Sequence, residues 1–433
     1  MNDSERNKPQ GPVQGVWHAS NVARRAYPGN NVVYSGGHAT YCVWTRPMAV
    51  YAPSQEKTFF VFGDADNSPA ISSYDHRSGA LAPVVVLGSN DNMDAHKNPH
   101  LLIDEGGYLY VFFGCHNTPV YLTKSLRPYD ISGWTTPAVV TDKVSYPQPW
   151  QLREGEVTVF YRRGTTHNAV ESLIRSHDGG RTWDEPVDIV TPPPQNGVYA
   201  VTIADTGPYP RRLQMAWSLT RGDWWERYHL FYAYSDDGGD TWRRGDGTPY
   251  EGPITEPTSE MLYESEVPDR GVWLQDIQMD ALGNPYILFI DGNTLTYECH
   301  WKLAERSTGE WRIHEVATSD HMYDVGVVLP LAPEDLRVWG PTSPSQPHED
   351  GGEIEEWQSR DGGVTWRNTK HITSGSQYSH NHVKAVFGPA RGDFRVFWTY
   401  GDSKSPPATR DVALYYYGEE SDKPVRMVLR YAE

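Results

Sequence analysis

Three segments of the chain are nearly identical: SHDGGRTW (Ser176–Trp183), SDDGGDTW (Ser235–Trp242) and SRDGGVTW (Ser359–Trp366). Each fits the pattern S-x-D-x-G-x-T-W. The pattern predicts a tight hairpin loop in which the Asp side chain caps backbone amides, the Gly takes a positive φ, and the Trp packs under the turn. Three matches of this length indicate a structural repeat. We therefore expect these loops to serve the fold rather than to touch a substrate.

A second, longer pattern runs between these loops: an apolar run, a turn, and another apolar run that ends near Gly or Asp. Helical periodicity is almost absent, so the pattern predicts an all-β protein. The seven copies are AVYAPSQEKTFFVFGD, LLIDEGGYLYVFFG, QLREGEVTVFYRRG, TIADTGPYPRRLQMAWS, IQMDALGNPYILFID, VVLPLAPEDLRVWG and AVFGPARGDFRVFWTYGD. One copy per four-stranded blade predicts a seven-bladed β-propeller, with the three loops matching the Asp box (BNR) hairpin of sialidase-like propellers. We expect a flexible N-terminal segment at 1–15 and one catalytic domain at 16–433, closed by a C-terminal strand.

The composition narrows the range of partners. The chain has 433 residues and a formal net charge of −18, which disfavours nucleic acid as a ligand. No apolar run is long enough to span a membrane. The 16 Trp and 27 Tyr suit both β-strands and stacking on sugar rings. The polar N-terminus has no apolar signal segment, and we expect an extracellular or periplasmic monomer whose export signal is not in this sequence.

The stretch AHKNPHLLIDEGGYLYVFFGCHN (95–117) places three histidines at the ends of two strand-like runs. A chain reversal at 105–107 would bring His96 and His116 to the same edge of a hairpin. His100 begins the first strand, and we expect it to be structural. The next repeat reads SYPQPWQLREGEVTVFYRRG (145–164). There, alternation along the strand predicts that Tyr161 and Arg162 face opposite ways.

These two repeats resemble the BNR-type propeller polysaccharide lyases, most closely the ulvan lyases. In that family one blade reads roughly H-x-x-P, strand, D-x-x-G, strand, G-x-H-N, and the next opens on Tyr-Pro and closes its second strand on Tyr-Arg. The resemblance implies that His96, His116, Tyr146 and Arg162 are the catalytic residues. It also implies a lyase that cleaves a glycan of rhamnose and uronic acid by β-elimination and leaves an unsaturated uronate end.

The residue types suit that chemistry independently. Removal of the C5 proton of a uronate requires the carboxylate to be neutralised, and the guanidinium of Arg binds a carboxylate through two parallel hydrogen bonds. His or Tyr can then serve as base or acid. No metal is strictly required if Arg neutralises the carboxylate.

Further residues are candidates for binding an acidic polysaccharide or oligosaccharide. A local basic cluster would reconcile the acidic protein with a polyanionic substrate. Arg163 is the alternative to Arg162, Arg227 is a possible further cation, and Trp224 could form a stacking platform. The candidates for substrate binding are Lys97, Asn117, Arg163, Arg221 and Trp224.

A structural Ca²⁺ or Zn²⁺ ion is a further possibility. Cys299, His300, His380 and His382 are weak candidates for holding it, because their spacing matches no zinc signature. Alternatively, His380 or His382 lines the central channel.

Other functions remain open on the sequence. An exo-acting lyase could remove rhamnose from glucuronate in plant gum side chains. A sialidase-like hydrolase would need an early Arg-Ile-Pro motif, whereas TRPMAV, with Arg46 and Pro47, lacks the Ile. A non-catalytic carbohydrate-binding propeller would not need the four candidate catalytic residues to converge.

Overall fold

A computed structural model of the protein describes ten parts of the chain: residues 39–90, 94–165, 168–221, 227–265, 270–293, 296, 298–320, 324–343, 351–401 and 412–432. These residues form β-sheets connected by turns. Their helices are three single turns of 3-10 helix, Pro53–Gln55, Ala95–Lys97 and Glu256–Thr258. No helix among the described residues is long and apolar enough to cross a membrane. The expected all-β class is confirmed.

The strands of the described residues fall into six sheets. The first contains β1 (Ala49–Ala52), β2 (Lys57–Gly63), β3 (Pro69–Asp75), β4 (Ala80–Leu81) and β5 (Val85–Val86). The second contains β6 (His100–Ile103), β7 (Leu109–Phe113), β8 (His116–Lys124), β9 (Ala138–Trp150), β10 (Val157–Arg163), β11 (Val170–Ser176), β12 (Val187–Thr191) and β16 (Ile254–Thr255). The third contains β13 (Asn196–Ala204), β14 (Leu213–Arg221), β15 (Arg227–Ser235) and β17 (Glu260–Tyr263).

The remaining three sheets have four strands each. The fourth contains β18 (Arg270–Met279), β19 (Pro285–Asn293), β20 (Cys299–Glu305) and β21 (Arg312–Ser319). The fifth contains β22 (Val327–Ala332), β23 (Asp335–Gly340), β24 (Glu355–Ser359) and β25 (Arg367–His371). The sixth contains β26 (Ser379–Ala385), β27 (Val396–Gly401), β28 (Val412–Tyr417) and β29 (Val425–Arg426).

Neighbouring strands pair antiparallel in the sheets, except that β12 and β16 pair in parallel. Hydrogen bonds also tie the end of the chain to its beginning. Phe387, just after β26, donates its N–H to the carbonyl of Ala49 in β1 at 2.8 Å. Two residues near the C-terminus bond to Val84, which lies just before β5. The Val84 N–H donates to the carbonyl of Arg430 at 2.6 Å, and the Ala432 N–H donates to the carbonyl of Val84 at 2.9 Å. The last segment of the chain is therefore hydrogen-bonded beside the first sheet.

The three repeated loops have the predicted geometry. In the first, Asp178 accepts the N–H of Thr182 at 2.9 Å and its hydroxyl at 2.6 Å, while Ser176 Oγ accepts the N–H of Gly180 at 2.8 Å. Gly180 has a φ of +89°. The Asp-to-Thr bonds recur at Asp237–Thr241 and Asp361–Thr365, and the Ser-to-Gly bonds recur at Ser235–Gly239 and Ser359–Gly363.

Each loop also packs against a neighbouring set of strands. A Cβ built on its second glycine would approach a leucine Cδ2 at 3.4 Å or less. The contacts are Gly180 with Leu122 in β8 (2.6 Å), Gly239 with Leu173 in β11 (3.1 Å) and Gly363 with Leu303 in β20 (3.4 Å). Each repeated loop therefore packs between neighbouring groups of strands, which agrees with its predicted structural role.

Three buried histidines make the fold sensitive to acid. Burial lowers the pKa of His100 to about 3 and the pKa values of His96 and His380 to about 4. In the unfolded chain a histidine titrates near 6.5, so between that pH and the folded pKa the unfolded state binds more protons. Each histidine therefore costs stability as the pH falls below about 6.5, by about 1.4 kcal/mol per pH unit.

The substitution His100→Gln should make the acid-induced loss of stability shallower. Between pH 7 and pH 5 the free energy of unfolding of the variant should fall by about 2 kcal/mol less than that of the wild type. Denaturant unfolding at both pH values measures the difference. The exposed Leu282 provides the control, since this side chain does not titrate and Leu282→Gln should retain the wild-type slope. A wild-type slope in His100→Gln would contradict the prediction.

Candidate active site

Three adjacent strands bring His116, Tyr146 and Arg162 together. In the register of the second sheet, Ser145 of β9 pairs with His116 of β8 on one side and with Arg162 of β10 on the other. The ladder is irregular on both sides of this point. The next residue, Tyr146, has a φ of +60°, a left-handed conformation that is unusual outside glycine. A distortion of this kind re-aims a side chain relative to the strand.

The Tyr146 ring lies at the centre of an aromatic and cationic cluster. Its centroid is 5.9 Å from the ring of His96, 6.0 Å from that of His116 and 5.1 Å from that of Trp44. Burial raises the pKa of Tyr146 well above its usual range, and the charge of Arg162 offsets part of the rise. The phenol therefore holds its proton at neutral pH.

Arg162 lies buried between two tyrosines. Its guanidinium carbon is 4.8 Å from the ring centroid of Tyr146 and 4.6 Å from that of Tyr199. Its Nε and Nη1 atoms have no hydrogen-bond partner among the described residues. Glu171, its cross-strand neighbour in β11, is also buried, and burial raises the pKa of Glu171 to about 8 against the effect of Arg162. Because burial favours the neutral form of Glu171, Arg162 keeps a net charge that an anionic ligand can neutralise.

The two candidate histidines share one carboxylate. Asp94 caps the 3-10 helix Ala95–Lys97 by accepting the N–H of His96. Its Oδ1 lies 2.6 Å from Nδ1 of His96, and its Oδ2 lies 2.6 Å from Nδ1 of His116. The two imidazole rings stack with their centroids 3.9 Å apart. The hairpin therefore places His96 and His116 side by side, as the sequence predicted, and Asp94 holds both.

The two histidines differ in exposure. The side chain of His96 is 3% exposed, and its Nε2 lies 3.2 Å from the hydroxyl of Tyr41. The side chain of His116 is 20% exposed. Burial, together with the charge of His116, lowers the pKa of His96 to about 4, so His96 is neutral at pH 7.

A second arginine lies close to this cluster. The guanidinium carbon of Arg227 is 4.3 Å from the ring of Tyr199, 4.5 Å from Trp44 and 4.0 Å from Trp273. It shares Tyr199 with Arg162. Of the cations predicted to form a local basic cluster, Arg162 and Arg227 therefore lie together, each buried against aromatic rings.

The other residues predicted to bind substrate differ in their burial and in their contacts. Lys97 is buried and acts electrostatically on the thiol of Cys115. Asn117 is exposed beside His116 and has a φ of +57°. Arg221 is exposed and lies over the ring of Tyr228 at 4.2 Å. Trp224 lies outside the described residues.

Arg163 is directed away from the cluster. It forms a two-pronged ion pair with Asp188, at 2.6 and 2.7 Å. Arg162, the next residue in the strand, faces the tyrosines, and Tyr161 packs into a separate hydrophobic cluster. The alternation predicted from the sequence is confirmed, and the geometry favours Arg162 over Arg163.

His100 lies outside the cluster. It is buried, and its Nδ1 lies 3.2 Å from both the backbone nitrogen and the backbone oxygen of Arg46. The Arg46 side chain forms an ion pair with Asp276 at 2.8 Å and donates to the carbonyl of Ile277 at 3.0 Å. Arg46 is the early arginine that the sialidase hypothesis would require. It already forms an ion pair with a carboxylate of the protein itself, that of Asp276.

The proposed metal ligands do not form a cluster among the described residues. Cys299 is buried, and burial raises the pKa of its thiol. His300 lies 3.2 Å from both Glu298 and Glu315.

The histidines of β26 are occupied by other contacts. His380 accepts the indole N–H of Trp398 at 2.8 Å through Nδ1, and its Nε2 lies 2.9 Å from Ser376 Oγ. His382 packs edge-on against Tyr41 with ring centroids 4.9 Å apart, beside the candidate site.

The described residues contain one compact group of potential metal donors, Asp94, His96 and His116. Donors around a tetrahedral Zn²⁺ ion, with bonds of about 2.0 to 2.1 Å, are held roughly 3.3 Å apart. The 2.6 Å separations between Asp94 and each Nδ1 are instead those of direct hydrogen bonds. The geometry therefore favours a hydrogen-bonded triad over a metal centre.

Several residues of the site were not predicted from the sequence. Asp94 stands two residues before His96, a spacing typical of a side-chain cap, and this signal could have indicated it. Glu171 lies opposite Arg162 in the β10–β11 hairpin, so its position could have been inferred from that hairpin. Tyr41, Trp44 and Tyr199 carry no local signal, since each reaches the site from a distant part of the chain.

Comparison with known proteins gives a consistent set of relatives. The model of the BNR repeat-containing family matches residues 57–319. An ulvan lyase from Nonlabens ulvanivorans is 23% identical over 363 residues, covering 72% of this chain and 74% of the relative. An ulvan lyase of family PL25 from Pseudoalteromonas sp. (strain PLSV) is 25% identical over 353 residues, covering 71% and 70%.

Solved structures share the fold. A PL25 ulvan lyase bound to -[GlcA(1-4)Rha3S]- superimposes with a TM-score of 0.75 at 19% identity, covering 92% of this chain and 97% of that one. The polysaccharide lyase Uly1 gives a TM-score of 0.62 at 10% identity, with coverage of 91% and 95%.

Proposed function

The chain belongs to the BNR repeat-containing family, and on that premise we propose that it is a polysaccharide lyase that cleaves ulvan by β-elimination. Two curated relatives named ulvan lyase align with about seven-tenths of the chain. The observation that carries the proposal is the convergence of Arg162, Tyr146 and the His96–His116 pair in one buried cluster. A non-catalytic sugar-binding protein would not need this combination of cation, proton donor and neutral imidazoles.

Each residue has a role in the reaction. The Arg162 guanidinium binds the uronate carboxylate and stabilises the charge that develops when C5 loses its proton. An imidazole of the histidine pair takes that proton, and the electrons form the C4–C5 double bond. The C4–O bond breaks, and Tyr146 donates its phenolic proton to the departing oxygen. The high pKa of Tyr146 suits it to be the acid, and the low pKa of His96 keeps its imidazole neutral.

We propose that this chemistry needs no metal ion. The positive charge that a cation would supply is provided by Arg162, whose Nε and Nη1 have no partner among the described residues. A structural Ca²⁺ or Zn²⁺ elsewhere in the protein is compatible with this proposal.

We propose that the sheets are the blades of one seven-bladed propeller. Strand β9 pairs with β8 through its first half and with β10 through its second half, so the eight-stranded sheet can be counted as two blades. The bonds that tie residues 430–432 to Val84 support ring closure. Because ulvan is a polymer, we propose that the protein acts on it outside the cell or in the periplasm. We also propose that the protein is a monomer.

Incubation with ulvan should release products with the ultraviolet absorbance of an unsaturated uronate. Parallel incubations with gum arabic and with a sialoside test the alternative lyase and hydrolase activities, and an ulvan sample with EDTA tests the metal proposal. No rise in absorbance on ulvan would contradict the proposed substrate. A rise only on gum arabic would identify the exo-acting alternative, saturated products would identify a hydrolase, and loss of activity in EDTA would show that a cation is required.

The adjacent arginines provide a matched pair of variants. Arg162→Met should lower kcat/KM by roughly 10²- to 10³-fold, because the developing negative charge loses its partner. Arg163→Met should retain wild-type activity, since that side chain pairs with Asp188 on the other face. Initial rates on ulvan, with thermal melts to confirm folding, measure both. The opposite ranking would show that Arg163 binds the carboxylate.

Tyr146→Phe should reduce kcat by roughly 10²- to 10⁴-fold, the usual contribution of a general acid. The ring and its packing are retained, so the melting temperature should change little. Tyr161→Phe is the control, because Tyr161 lies in the neighbouring strand but outside the site. Wild-type turnover in Tyr146→Phe would show that another group protonates the leaving oxygen.

A further inference from the structure

A chain of hydrogen bonds runs through the candidate active site with Asp94 at its centre. Oδ1 of Asp94 lies 2.6 Å from Nδ1 of His96, and Oδ2 lies 2.6 Å from Nδ1 of His116. On its far side, Nε2 of His96 lies 3.2 Å from the hydroxyl of Tyr41. Four titratable side chains are therefore connected in series.

We propose that Asp94 is a positioning residue that holds both His96 and His116 in the tautomer with the proton on Nδ1. An ionised carboxylate can only accept hydrogen bonds, and each of its oxygens is used by a different imidazole. Each Nδ1 must therefore carry a hydrogen, which leaves the lone pair of a neutral ring on Nε2. This inference rests on the proposed function, because a lyase needs a histidine that can accept the C5 proton.

The surroundings of Asp94 support its ionised state. Burial alone would raise the pKa of Asp94, but the charge of His96 and hydrogen bonds from both histidines hold it well below its usual range. The groups that face the triad are Tyr41 from the segment before β1, Tyr146 from β9 and Arg162 from β10. None of these described groups is an acid that would compete with Asp94 for the histidine protons at neutral pH.

The triad also separates the roles of the two histidines. The stacked rings lie 3.9 Å apart, so their mutual repulsion disfavours simultaneous protonation. His96 is deeply buried, and its Nε2 is engaged with Tyr41. His116 is the more exposed of the two. We therefore assign His116 as the base that accepts the C5 proton, with Asp94 holding its tautomer. His96 is the buried neighbour of His116 and links Asp94 to Tyr41 by hydrogen bonds.

The substitution Asp94→Asn tests the proposal with little change in shape. An amide offers one acceptor and one donor group, so the imidazole that faces its NH₂ must accept through Nδ1 and move its proton to Nε2. We expect kcat on ulvan to fall by roughly 10²- to 10⁴-fold, with KM within a few-fold of the wild type. Asp94→Glu keeps a carboxylate and should retain more activity than Asp94→Asn.

A matched control lies in the same hairpin. Asp104 accepts the N–H of Tyr108 and the hydroxyl of Tyr110 at the turn, away from the histidines. Asp104→Asn makes the same atomic change and should leave kcat and KM unchanged. A fall in kcat as large as that of Asp94→Asn would show that any loss of a carboxylate in this hairpin disturbs the enzyme, and would overturn the proposal.

The tautomers themselves can be read without any activity assay. Long-range ¹⁵N–¹H correlation spectra of histidine-labelled protein, assigned with His96→Gln and His116→Gln, distinguish a proton on Nδ1 from one on Nε2. We expect both wild-type rings to carry Nδ1–H and at least one ring of Asp94→Asn to carry Nε2–H. A wild-type ring with its proton on Nε2, or wild-type kcat in Asp94→Asn, would overturn the proposal. A wild type that shows both expected tautomers but does not cleave ulvan would instead overturn the lyase function and leave the positioning of the histidines supported.

Discussion

The pairing of β9 with strands on both sides is the constraint on which the candidate site depends. Ser145 of β9 pairs with His116 and with Arg162, so the backbones that carry an imidazole and a guanidinium are adjacent through one continuous ladder. Tyr146 follows at the irregular point of that ladder, in a left-handed conformation. The surrounding sheet holds this strained residue in place, and its ring lies between the cationic and imidazole parts of the site.

Burial favours the neutral form of three groups in the site, Tyr146, His96 and Glu171. It keeps Tyr146 protonated and His96 neutral, and it raises the pKa of Glu171 to about 8, so that the positive charge of Arg162 is not cancelled from within. The net charge of the chain is −18, yet this site contains two buried arginines that lie on aromatic rings. Aromatic faces stabilise a guanidinium without cancelling its positive charge. An acidic protein can therefore still offer a cationic site to a polyanion.

Much of the architecture could be predicted from local patterns. The S-x-D-x-G-x-T-W loops form the expected hydrogen bonds, because an Asp, a Thr and a positive-φ Gly within a few residues determine a turn without outside help. Strand alternation placed Arg162 and Tyr161 on opposite faces. The H-x-x-P…G-x-H-N hairpin placed His96 beside His116, because a reversal of the chain brings the two ends of a hairpin together.

The sequence by itself determined the all-β class, the repeated turns, the orientation of Arg162 and the pairing of the two histidines, since each depends on residues close together in the chain. Only the tertiary structure decided that Asp94 is shared by both imidazoles, and that Tyr41 and Tyr199 complete the site. It also decided that Arg163 pairs with Asp188. These contacts join separate strands and loops, and they arise from the packing of whole sheets, which no local pattern of residues specifies.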